Sequence, residues 1–210
     1  MLAAMSGRSA GVWGWSFAIL LLVSAGMASV PNGGDSTSTI RGFYENNTGL
    51  ILVAQVLGLL AASLFVPFAV ALQRQSQSRL ATKHSWITWS GVGVAIAAVL
   101  TAVPVLWLTA IADEGDTKVI RRWVHASDLS DVFLFVAIAA FAATMLRAAA
   151  AAWLRVAATL VMIASIARAA LLVTGSALLE VVAPLSFVVL VLALSTVSLT
   201  RHSVFGDAQR

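Results

Sequence analysis

Six stretches of this chain run for eighteen residues or more on almost nothing but apolar side chains, and no other feature constrains the fold as strongly. They cover residues 12–30, 50–72, 86–111, 129–146, 154–174 and 177–199. The hydrocarbon core of a bilayer is about 30 Å thick, which an α-helix crosses in roughly 20 residues. The runs lack the alternation of a barrel strand, and a backbone inside lipid must satisfy its own hydrogen bonds. The expected fold is therefore all-α. It is a polytopic integral membrane protein, a single transmembrane domain over residues 1–210 with a bundle of about six helices and no soluble domain. The first run needs one extra argument, because Arg8, the apolar stretch 12–23 and Gly26-Met27-Ala28 imitate a cleavable signal peptide. It is read as a retained first helix.

Composition supports this reading by exclusion. Hydrophobic residues make up 60% of the chain and charged residues 10%, against about 45–50% and about 25% in a soluble domain. A water-soluble surface could not be covered with so few charges, and disorder needs the opposite balance. The chain has no cysteine, which removes disulfides, thiolate metal sites and thiol chemistry together.

The few charges orient the bundle. With the N-terminus on the cytoplasmic side, Arg8, Arg74, Arg79, Lys83, Arg147, Arg155, Arg201 and Arg210 fall inside, and Arg41, Lys118, Arg121 and Arg122 fall outside. An excess of Lys and Arg marks the cytoplasmic loops, so both termini are expected in the cytoplasm. The seven tryptophans agree, since none falls in the middle of a run and indole rings favour the headgroup level. The alanine-rich composition points to the plasma (inner) membrane of a bacterium, crossed several times. The net charge of +4 and the basic pI of about 10.7 then serve orientation and contact with membrane lipids. No basic run interleaved with aromatics exists, so nucleic acid is not expected as a partner.

Between the runs, residues 31–49 read as the longest outer loop, with a flexible Gly/Ser/Thr-rich first half. In its second half Ile40, Phe43 and Tyr44 are placed on the membrane interface or plugging a vestibule. Asn46-Asn47-Thr48 matches a glycosylation sequon and is discounted in a bacterial chain. Residues 73–85 read as a polar inner loop, and the alanines at 148–152 as an interfacial turn. Small residues such as Gly91-Val92-Gly93 suit close helix contact, within the bundle or between subunits.

Ionisable groups inside lipid are costly and turn towards a bundle interior or a wet cavity. Arg168 lies about six residues before the turn at Gly175 and Glu180 about five after it. Antiparallel helices would bring the two to one depth, where they can pair. Asp131 lies about one turn into the fourth run, Asp128 one turn above it on the same face, and His125 just beyond. Gln55 and Thr101 fall in the same outer half of the second and third runs. Arg168, Glu180, Asp131, Asp128, His125, Gln55 and Thr101 are thus the candidates for an outward-facing polar cavity, and Pro104 is the proline nearest to it. The plainer alternative is that Arg168–Glu180 locks two helices and Asp128 caps the fourth helix.

Catalytic and cofactor signatures are missing. His84, His125 and His202 all lie in or beside loops, Glu180 is the one glutamate within a run, and no run contains a lysine. A haem pair, a di-iron site and a retinal Schiff base are excluded in their usual forms. Asp113-Glu114-Gly115-Asp116 reads as a solvated turn. No cofactor and no metal are expected, and an enzyme is disfavoured. Two classes stay open: a small transporter or channel-like protein with a polar cavity, and a non-catalytic subunit or assembly partner of a larger membrane complex. Either could form a homo-oligomer or join other membrane subunits.

Overall fold

A computed structural model describes residues 2–27, 31, 34–77, 85–112, 116–148, 151–171 and 177–200. Among them six α-helices follow one another: α1 (Leu2–Met27), α2 (Thr37–Gln77), α3 (Trp86–Ile111), α4 (Thr117–Ala148), α5 (Ala152–Leu171) and α6 (Ala177–Thr200). All six are long and apolar enough to cross a membrane. The chain is a multi-pass α-helical membrane protein. The turn at Gly175, the histidines His84 and His202, residues Asp113 to Gly115 of the acidic turn and the middle of the alanine run lie outside the described residues.

Each helix packs on its neighbours in sequence, and α1 closes against α6, so the six form a ring; α2 also reaches α4 across it. The end at which α1, α3 and α5 finish is called the upper end below, and the opposite end the lower. Lipid tails are as apolar as leucine, so solvent exclusion does little to hold such helices together, and close packing must do the work. Five phenylalanines supply it. Phe65 of α2 has its ring centroid 4.9 Å from Phe17 of α1, 5.1 Å from Phe141 of α4 and 5.6 Å from Phe187 of α6, with Phe68 at 5.5 Å. All five are buried, and the same cluster takes in Ile87, Val94, Leu154 and Val161 from α3 and α5. Tilted and edge-to-face pairs place the positive ring edge on a negative ring face, the arrangement aromatic quadrupoles favour.

Three glycines bring neighbouring helices close, the first being Gly11 of α1, where a Cβ would overlap Leu199 of α6. On α1 a Cβ at Gly14 would overlap Ser195 of α6 and stand 2.8 Å from the Phe68 ring, and one at Gly91 of α3 would overlap Ala69 of α2. Gly93, by contrast, faces open space. Of the pair Gly91 and Gly93, only Gly91 serves the bundle's own packing. At the lower end Ser85 makes no capping bond to α3; the Gln73 side-chain oxygen accepts the Ile87 N–H at 3.1 Å instead. Residues 73–77, expected in a loop, continue α2.

The larger departure is at the upper end. With 41 residues, α2 is about 60 Å long, twice the lipid core, and α4 with 32 is about 48 Å. Both overhang upward past the spans expected from hydropathy, over residues 37–49 and 117–128. The outer loop is thus helical from Thr37, and Ile40 and Tyr44 lie neither on an interface nor in a vestibule. They are buried with Ile51, Val105, Leu108, Ala112, Ile120 and Val124 in a second core that ties the overhangs to the top of α3. Trp107 and Trp123 stack beside it at 5.4 Å, and the Arg121 Nε donates to Thr37 Oγ1 at 3.3 Å. Polar residues are accommodated by bonding back along the helix: Asn46, Asn47 and Thr48 each donate to the carbonyl four residues earlier, at 2.7–2.8 Å.

Candidate functional site

The charged cluster is built by three consecutive helices of the ring. Arg168 stands in the last turn of α5 and Glu180 in the first turn of α6. Their Nη1 and Oε1 atoms are 3.7 Å apart, with the arginine side chain 11% and the glutamate 34% exposed. Each also has the sign that its helix end favours, a cation near a C-terminus and an anion near an N-terminus. The guanidinium lies 5.9 Å from the centre of the Phe135 ring on α4, a cation–π contact. Its Nε has no hydrogen-bond partner among the described residues.

Asp131 of α4 interacts electrostatically with Arg168, Glu180 and Asp128, and Asp128 with His125 and Arg168. Glu180 is thus the carboxylate that pairs with the guanidinium, while Asp131 and Asp128 feel its charge from further away. His125 stands at the rim: its Nδ1 is 3.9 Å from the Asp128 carboxylate, and its side chain is 89% exposed. The capping role considered for Asp128 does not fit, because α4 begins at Thr117 and Asp128 is eleven residues into it. The helix start is instead served by the Asp116 carbonyl, which accepts the Ile120 N–H at 3.0 Å.

Gln55 and Thr101 stand apart. No hydrogen bond, ion pair or electrostatic contact among the described residues joins either one to this cluster, and the Thr101 hydroxyl donates to the Ala98 carbonyl of its own helix at 2.8 Å. The polar region so drawn is a property of α4, α5 and α6. Pro104 is buried in α3, which runs on past it. Among the described residues no three of His, Asp and Glu converge to hold a metal ion.

One contributor had escaped notice in the sequence, the Phe135 floor under Arg168. The signal was available, since Phe135 follows Asp131 by four residues and so shares its helix face. Phe135 also belongs to the aromatic core, which places the charges directly above the packed phenylalanines. No family model, no curated protein and no solved structure matches the chain, so its function has to be argued from this geometry.

Proposed function

We propose that this protein is a small transporter whose polar site is the α4–α6 cluster, open towards the upper end and closed below by phenylalanines. The observation that carries this reading is the surplus of charge. Locking α5 to α6 requires Arg168 and Glu180 alone; Asp131 and Asp128 add two further carboxylates on a third helix, with no cap or helix end to serve. Asp131, inside the apolar run and without an ion pair among the described residues, is expensive there, and a protein keeps such an acid where it handles ions or protons. The excess is negative, so a proton or small cation fits it. The excess of Lys and Arg towards the lower end supports an orientation with the upper end outside and both termini in the cytoplasm.

The test is reconstitution of the full chain in vesicles with a pH-sensitive or cation-sensitive dye inside. Flux above that of empty vesicles, lost in Asp131→Asn while the protein still assembles, is the expected result. No flux in the wild type under either gradient overturns it. Orientation is tested separately and cleanly because the chain has no cysteine: Ser38→Cys should react with an impermeant thiol reagent added to whole cells.

The second reading is a non-catalytic subunit, alone in a homo-oligomer or within a larger membrane complex. It is favoured by the packing of Phe17, Phe65, Phe141 and Phe187 across the ring, which fills the centre of the bundle with side chains. A stoichiometric protein partner co-purifying in mild detergent would select it over a free-standing transporter.

A further inference from the structure

A groove of about 470 Å³ opens at the lower end where α4 gives way to α5, lined by Leu146, Ala152, Arg155, Val156, Thr159 and Leu160. Its size is within the range of ligand sites, about 300–1,000 Å³. The lining is divided along α5: Arg155 is exposed at the mouth, and Leu160 stands five residues further on, about 7–8 Å deeper. Trp153, exposed beside the mouth, is a side chain that favours the headgroup level. Thr159 donates its hydroxyl to the Arg155 carbonyl at 2.9 Å, which leaves its oxygen lone pairs, but no free proton, facing the groove.

Charge selects the occupant. Among the described residues the lower end carries Arg8, Arg74, Arg147 and Arg155 and no carboxylate, because Asp35, Glu45, Asp116, Asp128, Asp131 and Glu180 all stand at the upper end. We propose that this groove binds one anionic phospholipid from the leaflet at the lower end. The Arg155 guanidinium holds the headgroup phosphate, with two N–H donors in the geometry that suits phosphate oxygens. The acyl chain lies against Leu146, Val156 and Leu160. Arg147, exposed in the last turn of α4, adds to the positive field at the mouth. The site does not rest on the transport reading and would serve a subunit equally well.

The experiment is native mass spectrometry of the full chain in mild detergent, exposed to equal amounts of phosphatidylglycerol and phosphatidylcholine. The wild type should retain the anionic lipid in preference, and Arg155→Gln should lower that preference about fivefold, the factor expected for one basic residue at an anionic surface. Arg8→Gln, on the same end but on α1, should keep it. Leu160→Trp fills the groove without touching charge and should lower retention of the anionic lipid while circular dichroism stays helical. Equal retention of the two lipids by the wild type overturns the site. So does an Arg8→Gln effect as large as that of Arg155→Gln, which would mean diffuse attraction to the whole basic end.

Discussion

The two halves of the ring are held together by different physics. From its middle downwards the ring is packed by an apolar core centred on phenylalanines from α1, α2, α4 and α6 whose rings touch across the centre. The upper half is bound by a charged cluster on α4–α6 and a small apolar core under the overhangs of α2 and α4. The aromatic cluster itself has no polar atom to satisfy, and the buried polar groups around it are neutral, as with Gln73, which accepts the Ile87 N–H, and Ser195, which donates to the Val191 carbonyl. In the charged half each group depends on its neighbours, because an unpaired ion away from water is costly. The aromatic part is therefore expected to be the more rigid one, and the proposed transport site lies in the charged part.

Substitutions in either region test that contrast. The largest effect is expected at Phe65→Ala, which empties the centre of the aromatic cluster and should cost about 3–5 kcal/mol, read as a fall in the unfolding midpoint in detergent. A loss under about 1 kcal/mol would mean that the lower half is not the rigid one. Arg168→Ala should cost about 2–3 kcal/mol, less than a fully buried pair because Glu180 is a third exposed; Arg168→Lys should recover part of it. Gly14→Val pushes α1 off α6 and should cost about 1–3 kcal/mol through overpacking, seen by the same unfolding assay. Asp131→Asn separates the halves most sharply. It should leave stability within about 1 kcal/mol, since lost attraction to Arg168 is offset by relief from Asp128 and Glu180, and yet abolish flux. His125→Ala, on a side chain 89% exposed, should change the midpoint least, by under about 0.5 kcal/mol.

What could be read in advance follows the same division. Long apolar runs announce spanning helices because lipid permits little else, and α3 begins and ends where hydropathy places it. The overhangs of α2 and α4 were not legible that way. Residues 37–49 and 117–128 are polar enough to pass for loops, and Asn46, Asn47 and Thr48 are poor helix formers. Their helix is imposed by tertiary packing, of which the local trace is only the four-residue spacing of Ile40 with Tyr44 and of Ile120 with Val124. The depth of Arg168 and Glu180 could be counted from the turn, because rise per residue is constant. That Gln55 and Thr101 would stand away from them could not, because it depends on the rotation of α2 and α3 about their axes, and alanine-rich helices of low amphipathicity say little about rotation.

The ring has a further consequence, for the order in which the molecule can be completed. Five of its six contacts join helices that leave the ribosome one after the other, and each can form as soon as the next helix is inserted. The sixth cannot. Gly14 and Gly11 of α1 meet Ser195 and Leu199 of α6, so α1 must wait for α6. Until then its glycine face is turned to lipid or to whatever escorts the nascent chain, although Phe17 can already pack on Phe65 of α2. The α1–α6 seam closes the ring, and a chain cut short before α6 would stay an open arc.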